Sequence, residues 1–143
     1  MAQIEQLNIT ALCVTYNRPA LLGRSIFCFE QQQYANGHLY ILDDGAQYES
    51  HSGPNWVLES EHERYPDLSA KRNAAAESAL ELWPDTDVIM TWDDDDVYFP
   101  HALSSVNAAL TNAHYQGVRR HGSQPHAGST SSTATTVRAS FAA

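Results

Sequence analysis

The residues best suited to chemistry in this sequence are four consecutive aspartates, Asp93 to Asp96. They follow residues 87–92, a mainly apolar and β-branched run that predicts a buried strand. Open α/β sheets bind their ligands at the carboxyl ends of the strands, which is where this acidic run lies. Adjacent carboxylates repel one another, and a hard divalent cation with oxygen ligands offsets that repulsion. The run therefore indicates a metal site, and the alternative interpretation is a solvated acidic turn.

The directions of the four side chains follow from the expected backbone. In an extended chain successive side chains alternate, so Asp93 and Asp95 are predicted to face one way and Asp94 and Asp96 the other. The glycine and the distal glutamate of an EF-hand loop are both missing, so calcium sensing is not expected.

Polar residues also follow two other predicted strands. Tyr16 comes after a strand over 9–15, and residues 43–45 (Asp-Asp-Gly) come after a strand over 38–42. The carboxyl ends of parallel strands share one edge of a sheet, so these groups are expected to converge on one cleft. There Tyr16 could stack on a nucleotide base and a carboxylate could accept a hydrogen bond from it. The alternatives are a packing tyrosine and an ordinary Asp-Gly turn.

Two cations, Lys71 and Arg72, lie in the first turn of a helix predicted over 68–83, which Asp67 or Ser69 can cap. Cations at this end oppose the helix dipole and cost a few tenths of a kcal/mol. A phosphate-binding site would justify that cost, whereas the alternative is a solvated first turn.

The order of the predicted elements indicates an α/β fold. Strands are predicted over 9–15, 38–42, 56–58 and 87–92, helices over 19–32, 68–83 and 100–113, and a loop over 47–55. This β-α-β-β-α-β-α order implies a mainly parallel sheet flanked by helices. The apolar stripe of the second helix is predicted to be Ala76, Leu80 and Trp83.

Composition divides the chain into a domain over residues 1–116 and a tail over 117–143. No Leu, Ile, Met or Trp follows Leu110, and residues 129–136 are mostly Ser and Thr. Such a segment buries too little apolar surface to offset its ordering entropy, so the tail is predicted to be disordered.

Charge and cysteine usage exclude several classes of protein. Eight Lys and Arg against 17 Asp and Glu give a formal charge of -9, which disfavours binding to nucleic-acid backbones. Cys13 and Cys28 are expected to be buried thiols, with no zinc-binding spacing around them. We expect no signal peptide and no membrane span, and therefore a cytoplasmic location.

Four stretches together resemble family 2 glycosyltransferases, which have the GT-A fold. Residues 9–19 (ITALCVTYNRP) resemble the opening strand and turn of that family, and residues 40–46 (YILDDGA) resemble its DDGS segment. Residues 68–74 (LSAKRNA) are similar to its G-x-A-R-N helix start, with Ser69 in place of the glycine, and residues 91–100 (TWDDDDVYFP) to its LDxDD metal site. The four occur in the family's order and cover about residues 7–113.

The resemblance implies a nucleotide-diphosphate sugar as donor and a divalent metal, Mn²⁺ or Mg²⁺. By motif match, Tyr16 would pack on the base, Asp44 would bond it, and Arg72 would approach the nucleotide. Asp93 would contact the ribose or the metal, and Asp95 would hold the metal at the diphosphate. The substrate-binding set is thus Tyr16, Asp44, Arg72, Asp93 and Asp94, and the metal ligands are Asp93 and Asp95.

The same resemblance implies that a part of the family's fold is missing here. Family members continue beyond the metal motif into an acceptor site that carries the catalytic base, whereas residues 114–143 contain no Asp or Glu. The chain is therefore expected to be the donor-binding half of a glycosyltransferase, with an unknown acceptor and no assigned catalytic residue. One alternative is a catalytically silent nucleotide- or metal-binding fragment. Another is a sugar nucleotidyltransferase, which would need a glycine-rich basic loop where residues 16–19 (YNRP) stand.

Overall fold

The computed structural model describes residues 5–120 and 135–136, and it describes side chains for residues 5–112. The strands are β1 (Ile9–Thr15), β2 (Gly37–Asp43), β3 (His51–Gly53), β4 (Trp56–Ser60), β5 (Val88–Thr91) and β6 (Thr135–Thr136). The helices are α1 (Pro19–Glu30), α2 (Leu68–Leu82) and α3 (Ala102–Arg120).

The described strands form one sheet in the order β3-β4-β2-β1-β5-β6. All neighbouring strands are parallel except β3, which is antiparallel to β4. The last residue of β1, Thr15, is in register with the last residue of β2, Asp43. β5 also ends at this edge, where the backbone N–H of Trp92 donates to the carbonyl of Leu12 at 2.8 Å. The predicted mainly parallel α/β sheet is therefore confirmed, and three strand ends meet at one edge.

The prediction of an uninterrupted loop over 47–55 is wrong, because residues 51–53 form the short edge strand β3. Pro54 and Asn55 make a two-residue connection to β4, and Asn55 has a φ of 101°. Proline followed by a positive-φ residue is typical of a type II turn, which closes this hairpin. The polar residues of β3 hid the strand, since an exposed edge strand has no buried apolar face to reveal it.

Two apolar clusters cover the two faces of the sheet. The larger one joins alternate residues of β1, β2 and β5 to side chains of α1 and α3. Trp92 is its largest fully buried side chain, and it stacks on Tyr98 with a centroid separation of 3.7 Å. The two cysteines, Cys13 and Cys28, are both free and buried, as predicted. The smaller cluster lies under α2 and includes Tyr40 and Leu42.

The predicted apolar stripe of α2 is wrong for Ala76 and Leu80, whereas Trp83 does pack against the smaller cluster. The residues buried against the sheet are Lys71, Ala75 and Ala79, whereas Ala76, Leu80 and Trp83 are only partly buried. The spacing of four residues puts the buried three on one face of the helix, and the two alanines let it approach the sheet closely. The helix is capped by Asp67, whose carboxylate accepts from the backbone N–H of Ala70 at 2.7 Å, one of the two caps predicted.

The third helix, α3, extends beyond its predicted end at residue 113 and into the predicted tail. α3 runs to Arg120, and β6 pairs with β5. The rest of the predicted tail, residues 121–134 and 137–143, lies outside the described residues. Among the residues that the structure describes, no helix combines the length and apolarity needed to cross a bilayer.

Candidate functional site

A cleft of about 460 Å³ opens where β1, β2 and β5 end and α2 begins. Its lining residues are Val14, Thr15, Tyr16, Arg18, Asp44, Arg64, Tyr65, Pro66, Asp67, Leu68, Lys71, Arg72, Asp93, Asp94 and Asp95. Four of these are cations, and the whole chain has only eight Lys and Arg residues. An acidic chain thus gathers half of its cations around one cleft that also contains the aspartate run.

The aspartate run is a turn and not an extended segment. The backbone N–H of Asp96 donates to the carbonyl of Asp93 at 3.4 Å. Carboxylate oxygens of Asp93, Asp95 and Asp96 all lie within 4.8 Å of one another. The predicted alternation is therefore wrong for Asp96, because the turn brings it to the side of Asp93 and Asp95.

The electrostatics of this turn favour a bound cation. Burial raises the pKa of the Asp93 carboxyl above its ordinary value, and the neighbouring Asp96 raises it further. Arg72 opposes this effect, with Nη2 at 4.0 Å from Asp93 Oδ1. Three carboxylates that share so small a space provide the hard oxygen ligands that Mg²⁺ and Mn²⁺ prefer.

Asp94 points away from the other three aspartates, toward the end of β1. Its Oδ2 accepts from the hydroxyl of Thr15 at 2.8 Å, and its Oδ1 accepts from Arg18 Nη1 at 3.4 Å. Only 6% of the residue is exposed. Asp94 therefore fastens the aspartate turn to the first strand, although the resemblance implies that it binds substrate.

Asp44 is the centre of a buried ion-pair network. Its Oδ1 accepts from Lys71 Nζ at 2.6 Å, and its Oδ2 accepts from Arg64 Nε at 3.2 Å and from the backbone N–H of Tyr65 at 3.0 Å. Lys71 Nζ also donates to the carbonyl of Thr15 at 2.5 Å. Burial by itself raises the pKa of the Asp44 carboxyl, but these donors outweigh burial and hold the pKa below its ordinary value.

The adjacent Asp43 has a different role, because its carboxylate organises the loop that follows β2. It accepts from the backbone N–H of Gly45 at 3.1 Å and of Gln47 at 3.2 Å, and from the hydroxyl of Ser60 at 2.7 Å. A carboxylate that bonds the backbone two residues ahead is ordinary turn chemistry. For Asp43, the turn alternative is therefore the one the structure supports.

Tyr16 lies at the mouth of the cleft under the side chain of Arg64. The guanidinium carbon of Arg64 is 3.4 Å from the centroid of the Tyr16 ring. Tyr16 is 44% exposed, and the Arg64 side chain is 55% exposed. A cation over an aromatic face is attracted by the ring quadrupole, so this contact is favourable in the absence of ligand.

Arg72 follows Lys71 in the first turn of α2 but reaches the other side of the cleft, near Asp93. Its Nε is buried and has no hydrogen-bond partner among the described residues. An unpaired buried N–H carries a desolvation cost, which this arginine bears.

The cleft brings together all the residues expected from the sequence to bind substrate or metal: Tyr16, Asp44, Arg72, Asp93, Asp94 and Asp95. Sequence reasoning missed Arg18, Arg64 and Asp96, and it missed that Lys71 is buried. Asp96 belongs to the acidic run, but its predicted side-chain direction is wrong because the chain turns at Asp93. Arg64 lies in a polar loop between β4 and α2, where no pattern distinguishes it from a solvated arginine.

No protein-family model matches the sequence, and no curated protein matches it at a significant level. The fold is nevertheless similar to that of solved glycosyltransferases. A structure of S. aureus TarS residues 1–349 has a TM-score of 0.57 at 15% identity over 76% of this chain and 33% of that one. A longer S. aureus TarS structure has a TM-score of 0.58 at 15% identity over 76% of this chain and 20% of its own.

A third solved structure is the mannosyltransferase PcManGT from Pyrobaculum calidifontis, in complex with GDP-Man and Mn²⁺. It has a TM-score of 0.52 at 17% identity over 75% of this chain and 32% of that one. The chain thus spans a third or less of the length of these proteins. At such identities the likeness concerns the fold, and the chain has a GT-A-like fold of the kind seen in these glycosyltransferases.

Proposed function

We propose that the cleft binds a nucleotide-diphosphate sugar through a divalent cation, and that the chain provides this donor site to a glycosyltransferase. One observation carries the proposal: half of the chain's cations and three of its four consecutive aspartates line one cleft at the carboxyl ends of the strands. A diphosphate with a bound cation requires both kinds of group. The solved mannosyltransferase with the same fold holds GDP-Man and Mn²⁺, which supports a ligand of this class.

The three clustered carboxylates would hold the cation. Asp93 and Asp95 are the pair implied by motif resemblance, and Asp96 adds a third oxygen ligand within the same 4.8 Å. The donor set contains only oxygen, which suits Mn²⁺ or Mg²⁺. A bound cation would neutralise the negative charge that develops on the nucleoside diphosphate as it leaves the sugar.

The arginines of the cleft would bind the phosphates beside that cation. Arg72 lies on the α2 side of Asp93, and 40% of its side chain is exposed. The N-terminus of α2 adds the positive end of a helix dipole, although the Asp67 carboxylate already accepts from the N–H of Ala70 there. Arg18 lies 3.4 Å from Asp94 and 3.8 Å from Asp95, on the β1 side of the turn. The phosphates would therefore lie between two arginines, with the carboxylates below them.

Calorimetric titration of UDP and GDP, with and without Mn²⁺, tests the donor site. We expect binding that depends on Mn²⁺, and its loss in Asp95→Ala. Asp85→Ala is the matched control, because Asp85 is exposed and lies before β5, at the opposite end of that strand. It removes the same charge from the chain and should leave binding unchanged.

The outcomes separate the possible functions. Mn²⁺-dependent binding together with transfer of sugar from a nucleotide-sugar to any acceptor would establish a glycosyltransferase. Binding without transfer would indicate a silent nucleotide-binding protein. Absence of binding for both nucleotides, with and without Mn²⁺, would refute the donor site.

A further inference from the structure

The guanidinium of Arg64 covers one aromatic face of Tyr16, a face on which a nucleotide base could otherwise stack. Its central carbon is 3.4 Å from the Tyr16 ring centroid, which is van der Waals contact. A base cannot lie at the same distance from that face while the guanidinium is there. Gly45 lies near Cδ2 and Cε2 of the same ring, and only a Cβ in place of its hydrogen would come to 3.1 Å from each of these two atoms.

Arg64 is held in this position by a second group. Its Nε donates to Asp44 Oδ2 at 3.2 Å, and Asp44 is itself fixed by Lys71 and by the backbone of Tyr65. The bond at Nε orients the guanidinium plane, and the Tyr16 ring supports it from one side. More than half of the Arg64 side chain remains exposed, and it lines the cleft.

We infer that the base of the donor stacks on the guanidinium of Arg64, with Tyr16 as the layer beneath it. The role of Arg64 rests on the proposed function, because it requires a nucleotide in the cleft. A planar, delocalised cation offers a flat surface that stacks on the π-face of any base. Arg64 thus replaces Tyr16 as the direct contact of the base.

Asp44 then acts on the base through Arg64. A carboxylate has about four acceptor positions, and three of those on Asp44 are occupied by Lys71, Arg64 and the backbone of Tyr65. With only 2% of the residue exposed, Asp44 is a positioning residue that orients the guanidinium. Its resemblance-based role, a direct bond to the base, is replaced by this indirect one.

Two ligands separate stacking from charge. UDP and GDP carry a base, whereas inorganic pyrophosphate offers the same Mn²⁺-binding phosphates without one. Calorimetry with Mn²⁺ is performed on the full chain and on Arg64→Ala, Arg64→Lys and Arg64→Gln. Lysine keeps the charge without the plane, and glutamine keeps a small planar group without the charge. Thermal unfolding of each variant verifies that it is folded.

We expect Arg64→Ala and Arg64→Lys to weaken UDP and GDP roughly tenfold, the size of one base-stacking contact. Glutamine should restore part of the loss, and pyrophosphate affinity should change by less than about twofold, because pyrophosphate has no base to stack.

Equal losses for pyrophosphate and for the nucleotides, with rescue by lysine, would show that Arg64 acts as a charge and would overturn the inference. Tighter nucleotide binding by Arg64→Ala would overturn it too, since Arg64 would then be an obstacle. If the unaltered chain binds pyrophosphate and nucleotides equally, the metal site stands and base stacking fails; if it binds neither, the proposed function itself fails.

Discussion

Lys71 Nζ lies 2.6 Å from Asp44 Oδ1, and 6% and 1% of the two side chains are exposed. The same ammonium donates to the carbonyl of Thr15. One side chain of α2 therefore contacts the ends of both β1 and β2, next to the residues that line the cleft. Removal of one member of such a pair leaves a buried charge without its partner, which is the costly way to break a buried ion pair.

Replacement of Lys71 by methionine should destabilise the protein by about 3 kcal/mol, because the buried Asp44 carboxylate loses its closest cation. Urea unfolding followed by circular dichroism measures the free energy of unfolding. Glu77→Gln is the control on the same helix, since Glu77 is exposed and the change should stay within about 0.5 kcal/mol. Equal effects of the two substitutions would show that the pair contributes nothing.

The pH dependence of stability should report the low pKa of Asp44. The folded-state pKa lies below the ordinary value, so the native state binds fewer protons at Asp44 than the unfolded state does. The stabilising contribution is therefore fully present above the unfolded pKa, about pH 4, and is lost as the pH falls through the folded pKa. Urea unfolding between pH 7 and about pH 3 should show this loss in the unaltered protein, and Asp44→Asn should flatten the profile. An identical acid profile for the two proteins would contradict the assignment.

Asp96→Asn should weaken Mn²⁺ binding by at least about tenfold, because even partners outside the ligand shell of a metal have effects of this size. The reason is the turn that brings Asp96 to Asp93 and Asp95. Titration of Mn²⁺ monitored by electron paramagnetic resonance measures free and bound ion directly. Asp85→Asn serves as the control for the lost charge. Unchanged Mn²⁺ affinity in Asp96→Asn would limit the ligands to the pair that the motif implies.

Gly53→Ala should destabilise the protein by about 1–3 kcal/mol, the usual cost of overpacking. A Cβ on Gly53 would lie 2.2 Å from Nε1 of Trp56, whose indole is fixed by a hydrogen bond to Glu30. Gly23→Ala is the matched control in α1, where a Cβ meets nothing within 4 Å. There the same substitution should stabilise by about 0.5–1 kcal/mol through helix propensity. Thermal unfolding of both variants gives the comparison, and equal shifts would argue against steric strain at Gly53.

The parallel strands and their helices could be predicted because the spacing of apolar residues and the position of turn residues indicate where each element begins and ends. The sequence predicts β1 over Ile9–Thr15, the bounds that it has, and an end of α2 at Trp83, one residue beyond its last helical residue. A buried strand consists mainly of apolar residues, so it can be recognised in the sequence as an apolar run. β3 is exposed on an edge of the sheet and has no apolar run by which it could be recognised.

The location of the site could be predicted from the sequence, but the network of ion pairs and hydrogen bonds within it could not. Strand ends meet at one edge for topological reasons, which is why Tyr16, Asp44 and the aspartates share a cleft. The partners of Asp44 could not be deduced, since Lys71 and Arg64 lie 27 and 20 residues away in the chain. A lysine in the first turn of a helix indicates solvation or phosphate, and only the packed structure shows an ion pair there. The alternation rule failed at Asp96 because it assumes an extended backbone, whereas the chain turns at Asp93.

The contacts of Lys71 with Thr15 and Asp44 also help to fix the position of α2 relative to the cleft. An α-helix rotates by about 100° per residue, so any shift of α2 by one position would take the ammonium away from Thr15 and Asp44 together. α2 therefore has a single register on the sheet, and Arg72, the next residue, is directed toward Asp93. The ion pair of Lys71 thus helps, together with the buried Ala75 and Ala79, to place Arg72 beside the carboxylates of the turn.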